Sequence, residues 1–166
     1  MRSVELSEPS VRAIRAHARE TYPEECCGYL VVRAGEDEAS PRRVLSVERA
    51  RNDFEGERRR RFVIRPEELL QVEGRLAGEE RAVGGFYHSH PDHPAVPSEF
   101  DREHAWPWYS YLVLAVTQTA EGPLGAFELD AESGAFHPAP LLLPAATDWS
   151  GGKRTPKSSL GEEGVS

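Results

Sequence analysis

Apolar residues at Val11, Ile14 and Ala18 recur at helical spacing behind Ser7-Glu8-Pro9, a helix-start pattern, and Pro23 closes that segment. Gly28 to Val32 (GYLVV) is apolar and β-branched and predicts a buried strand. Polar turn residues fill 34 to 42, Val44 to Val47 resumes as a strand, and 51 to 61 is charged and irregular. Phe62-Val63-Ile64 predicts a third strand. Pro66 opens a second helix with Leu69, Val72 and Leu76 on one face, weakened at Gly74. Ala82 to His88 reads as a strand, 91 to 98 as a Pro-rich loop, and Ser98 as the start of a short helix ending by Pro107. Tyr111 to Val116 (YLVLAV) is the clearest strand, and Leu124 to Leu129 is its expected partner. Strands interleaved with two long helices predict an α/β or α+β layer fold without internal repeats.

Length sets the scale of that fold. A chain of 166 residues makes one domain and buries roughly 70% of its unfolded surface, so a metal is not needed for folding and any metal serves chemistry. The net charge of -8 opposes binding to a phosphate backbone, which excludes nucleic acid as a partner class. No apolar run approaches the roughly 18 residues of a membrane span, and the N-terminus (MRSVELSEPSV) lacks a signal peptide's apolar core. Cys26 and Cys27 are neighbours that cannot form an ordinary disulfide with each other, so they read as small core residues in a reducing compartment. These features predict a soluble cytoplasmic protein. Of the 20 basic residues only Lys153 and Lys157 are lysines, which sets the end of the chain apart. Residues 1 to 143 are the expected domain, and 144 to 166 the expected disordered tail.

Chemistry concentrates in GFYHSHPDHPAVPSEFD, residues 85 to 101. Side chains on a strand alternate faces, so His88 and His90 point one way and Ser89 the other. Two imidazoles at a strand end form a bidentate platform for a transition metal. Pro91 ends the strand, and the loop can return a third ligand. Ser98 and Asp101 are one helical turn apart; they fit a capping box, and Asp101 can also complete a two-His, one-carboxylate site with an open position for water.

Two families share parts of this pattern. His88-Ser89-His90-Pro91-Asp92-His93 resembles the H-x-H-x-D-H motif of the metallo-β-lactamase superfamily, a two-metal class. That fold is usually larger and takes further histidines downstream, where only His104 and His137 remain here. More of the chain resembles the JAMM/MPN-plus metallopeptidase family, whose signature runs Glu, then His-x-His-Pro-x(6)-Ser-x-x-Asp. His88, His90, Pro91, Ser98 and Asp101 match that spacing, and Glu25-Cys26-Cys27-Gly28 matches the upstream Glu-x-Cys-Gly. The resemblance covers residues 1 to about 143 and points to the compact prokaryotic members.

The resemblance implies an MPN-type α/β domain: a central mixed sheet flanked by two main helices, with a short helix after the metal-binding loop. It implies one zinc ion held by His88, His90 and Asp101, with Glu25 as proton shuttle and Ser98 as donor to the oxyanion. It also implies cleavage of the amide bond after the Gly-Gly tail of a ubiquitin-like or sulfur-carrier protein. A metallo-β-lactamase-like two-zinc hydrolase and a non-catalytic MPN scaffold are the alternatives. Arg58 to Arg61 reads as a solvated loop or as a surface for an acidic partner.

Overall fold

The computed structural model describes residues 1–143, so the expectation of a disordered tail lies outside the described residues. A six-stranded mixed sheet forms the centre, in the order β4 (Ser46–Ala50), β2 (Cys27–Arg33), β5 (Arg81–Pro91), β6 (Ser110–Val116), β7 (Glu121–Leu129) and β8 (Phe136–Ala139). All its pairings are antiparallel except β5 with β6. That parallel pair needs a crossover, and the short helix α3 (Glu99–Glu103) lies within it. A small parallel sheet joins β3 (Arg42–Val44), β1 (Val4–Leu6) and β9 (Leu141–Leu142).

The long helices cover opposite faces of the central sheet. Helix α1 (Glu8–Thr21) is capped by the Ser7 hydroxyl and buries Ile14 and Ala18 against Leu30, Tyr87, Leu112 and Leu114. Helix α2 (Pro66–Ala77) buries Leu76 beside Tyr29, Val31, Phe86 and Val113. Strand β5 therefore has cover on both sides and is buried from Val83 to Pro91. Gly74 does not break α2; beyond its chain neighbours and the backbone of its own helix, nothing lies within 4 Å of where its Cβ would stand, so it faces open space. Among the described residues no helix is long and apolar enough to cross a membrane.

The Gly84-Gly85 pair is required by packing. A Cβ on Gly85 would stand 1.9 Å from the Ser110 carbonyl oxygen, and one on Gly84 would stand 2.5 Å from Val32. The register against β2 shifts at this point, from Leu30↔Gly85 to Val31↔Val83, so Gly84 is the extra residue of a bulge.

Two strand expectations are corrected. Phe62-Val63-Ile64 is not a strand. The Val63 N–H donates to the Asn52 side-chain oxygen at 3.2 Å, so a side chain takes a place that a ladder partner would fill. Val44 to Val47 is not one strand: Val44 ends β3 in the small sheet, Ser46 begins β4 in the large one, and Leu45 turns between them with its N–H on the Val31 carbonyl at 2.8 Å.

Candidate active site

Antiparallel pairing of β2 with β5 sets Cys27 opposite His88 and brings the start of one strand beside the end of the other. Glu25, two residues before Cys27, thereby comes next to His90, with its Oε1 3.9 Å from His90 Nε2. Alternation along β5 sends Phe86, His88 and His90 to the α2 side of the sheet, while Tyr87 faces α1. Helix α3 supplies the remaining carboxylate. Ser98 Oγ accepts the Asp101 N–H at 3.1 Å, and Asp101 Oδ2 accepts the Ser98 N–H at 2.7 Å, a complete capping box. The capping and ligand readings of Ser-x-x-Asp are thus compatible, since the cap fixes where Asp101 points.

His88 Nε2, His90 Nε2 and Asp101 Oδ2 form a nearly equilateral triangle with sides of 3.0, 3.1 and 3.2 Å. Tetrahedral zinc with nitrogen and oxygen ligands at about 2.0–2.1 Å keeps those ligands about 3.3 Å apart, so the donor set fits such an ion. His90 Nδ1 donates to the Pro94 carbonyl at 2.8 Å, which leaves the Nε2 lone pair facing the other two donors. The Phe62 ring stacks on His88 at 4.5 Å and shields it. All three donor residues are buried and can hold a metal ion.

The electrostatics also favour a cation. Burial disfavours protonation of His88 and lowers its pKa despite the nearby Asp101. Burial opposes the Asp101 charge too, but His88, His90 and the Ser98 N–H outweigh it and hold the carboxyl well below its ordinary range. Glu25 is 3% exposed, and burial, then the Asp101 charge, pushes its carboxyl up to about 9. Its Oε2 is buried with no hydrogen-bond partner. A positive charge beside it would relieve that cost.

Asp92 and His93 stand apart from this cluster. Both are exposed, and the Asp92 carboxylate accepts the Tyr22 hydroxyl at 2.7 Å. Cys26 and Cys27 are buried free thiols, and burial pushes Cys26 up to about 11, out of the reactive range.

Asn52 escapes the sequence reading. Its amide donates to the carbonyls of Glu25 at 3.2 Å and Arg61 at 3.0 Å, and its oxygen accepts from Phe54 at 3.1 Å and Val63 at 3.2 Å. The Glu25 N–H in turn donates to the Arg58 carbonyl at 2.8 Å, so the loop after β4 grips both backbone polar groups of Glu25. An Asn within a charged run is the only local signal of this clamp.

A family model described as prokaryotic homologs of the JAB domain matches residues 7–129. A desampylase of Haloferax volcanii is 36% identical over 108 residues, covering 62% of this chain and 73% of that protein. Tail tip assembly protein K of Escherichia phage N15 is 31% identical over 97 residues, covering 58% of this chain, which spans about a third (34%) of the phage protein. Among solved structures, a Desulfitobacterium hafniense protein superposes with a TM-score of 0.71 at 26% identity, covering 85% of this chain and 92% of its own. A Salinibacter ruber protein does so with a TM-score of 0.61 at 31% identity, covering 87% and 92%. The family match takes in both the Glu25 segment and the His-x-His strand, and the chain belongs to the prokaryotic homologues of the JAB domain, as a hydrolase of this metallo-isopeptidase family.

Proposed function

We propose that the chain is a zinc-dependent isopeptidase of the cytoplasm that hydrolyses the amide bond after the Gly-Gly tail of a ubiquitin-like or sulfur-carrier protein, with residues 1–143 as the catalytic unit. The observation that carries this reading is the convergence of His88 Nε2, His90 Nε2 and Asp101 Oδ2 beside the buried carboxyl of Glu25. Identity to a protein named desampylase supports the substrate class.

His88, His90 and Asp101 would hold the zinc ion, which supplies a Lewis acid and lowers the pKa of water towards about 7. Glu25 takes the proton of the attacking water and returns it to the leaving amine. Burial alone favours its protonated form, and the charge of a bound ion would offset that burial, so that the carboxylate can accept the proton in the first step. The Ser98 Oγ accepts the Asp101 N–H, which leaves its own O–H to donate to the oxyanion. An amide combines a poor electrophile with a poor leaving group, so both proton transfer and charge stabilisation are needed.

The test is a β-grasp carrier fused through Gly-Gly to a reporter. Cleavage is expected directly after the second glycine, and a bulky residue there abolishes it, because only glycine lets the backbone approach closely. Cleavage indifferent to that change would make the chain a general peptidase. A lysine-linked carrier and a carrier bearing one extra amino acid, compared at equal concentration, distinguish modifier removal from processing of a sulfur carrier.

A further inference from the structure

The four consecutive arginines after β4 do not share one environment. Arg58 is structural, with its Nε donating to the Phe54 carbonyl at 2.9 Å and its own carbonyl accepting the Glu25 N–H at 2.8 Å. Arg59 faces Glu57 at 4.0 Å, the outer limit of an ion pair. Arg60 and Arg61 have no carboxylate partner among the described residues. Arg61 lies over an aromatic floor, 4.8 Å from the Phe100 ring and 5.8 Å from the Phe54 ring, and those rings meet edge to face at 5.7 Å. Such stacking holds a guanidinium in place while leaving its N–H groups free to bind. Phe54, Gly56, Glu57, Arg59, Arg60 and Arg61 line a cavity of about 590 Å³.

Two aromatic residues connect the lining of this cavity to the cluster of His88, His90 and Asp101. Phe100 immediately precedes Asp101, and Phe62, the residue after Arg61, stacks on His88 at 4.5 Å. We propose that the cavity is a docking subsite for an acidic stretch of the protein substrate, with Arg60 and Arg61 as specificity-determining residues. The proposal rests on the reading of the chain as a protease for a protein modifier. Carboxylates match the fork of a guanidinium in pairs. A chain of net charge -8 repels an acidic partner in general, so a local basic patch beside the site is what admits one. The same net charge disfavours a polyphosphate backbone as the occupant.

The test uses the zinc-loaded full chain and two fluorescein-labelled peptides ending in Gly-Gly, one with a block of Glu upstream and one with Gln, read by anisotropy. The Glu peptide is expected to bind about tenfold more tightly, with a difference that shrinks as salt rises. Arg60→Ala/Arg61→Ala removes the preference, whereas the same charge loss in Arg12→Ala/Arg33→Ala, away from the site, leaves it. Should the double variant unfold, Arg60→Gln alone, at an exposed side chain, reduces the preference about threefold. Equal affinity of the wild type for both peptides, or a preference that survives the Arg60 and Arg61 changes, overturns the proposal. Tighter binding of oligothymidine through the same arginines overturns it in favour of nucleic acid. Cleavage of a lysine-linked form of the Glu peptide is read separately. Preferential binding without cleavage breaks the peptidase reading and leaves the docking subsite standing.

Discussion

Ser89 Oγ accepts the Cys26 N–H at 2.8 Å while the Ser89 N–H donates to the Cys26 carbonyl at 3.1 Å. The residue between the two histidines thus ties their strand to the residue next to Glu25. Ser89→Ala would leave the buried Cys26 N–H without its partner, at a cost of about 1–3 kcal/mol. Denaturant unfolding should show that loss, and turnover should fall while zinc content stays near wild type. Unchanged stability would mean that backbone pairing alone holds the two segments together.

Metal content separates one-ion and two-ion sites. The triangle of His88, His90 and Asp101 donors accommodates one ion, so purified protein should carry about one zinc per chain. Elemental analysis should show that His88→Ala loses it and that His93→Ala, at an exposed loop position, retains it. The opposite pattern would place the metal on the wrong residues.

Glu25→Gln should keep zinc and lose turnover by about 10²–10⁴-fold, because an amide hydrogen-bonds but takes no proton at neutral pH. Glu24 is exposed, and Glu24→Gln should behave as wild type. Asp101→Asn weakens a ligand and should lower both metal occupancy and rate. Rates on one fusion substrate, with zinc measured on the same samples, check all three. Near-normal turnover in Glu25→Gln would remove Glu25 from the proton path.

The parts legible in the sequence are those with local signals. Helix α1 announces itself through Ser7, Pro9 and the spacing of Ile14 and Ala18, and the triad through its two-residue and helical-turn spacings. Strands β1, β3 and β9 have only two or three residues each, too few to display a period, and exist through pairings such as Val4↔Arg42 and Val4↔Leu141. Phe62-Val63-Ile64 has strand composition, yet Asn52, ten residues before Phe62, bonds its backbone, and Phe62 packs on a histidine far along the chain. The grip of the Arg-bearing loop on Glu25 is likewise a meeting of distant segments, which no spacing rule reports.

Acid stability offers a prediction away from the triad. His17, on α1, is buried, and its Nδ1 lies 2.8 Å from the Tyr87 hydroxyl. Burial, then the nearby Arg49 charge, lowers the His17 pKa to about 4. Burial also raises the Tyr87 pKa, so the phenol keeps its proton beside a neutral His17. The unfolded chain holds its His17 proton up to about pH 6.5, whereas the folded chain has released it down to about 4. Between those values the unfolded state binds more protons, so stability rises with pH. The contribution is fully present above about 6.5, is lost as pH falls through about 4, and amounts to at most about 3 kcal/mol. His17→Gln, which cannot titrate, should be less stable than wild type at pH 7. Its deficit should shrink as the pH approaches 4. Urea unfolding of both proteins at a series of pH values gives the difference curve. A difference that stays constant across that range would mean that His17 does not change its protonation on folding.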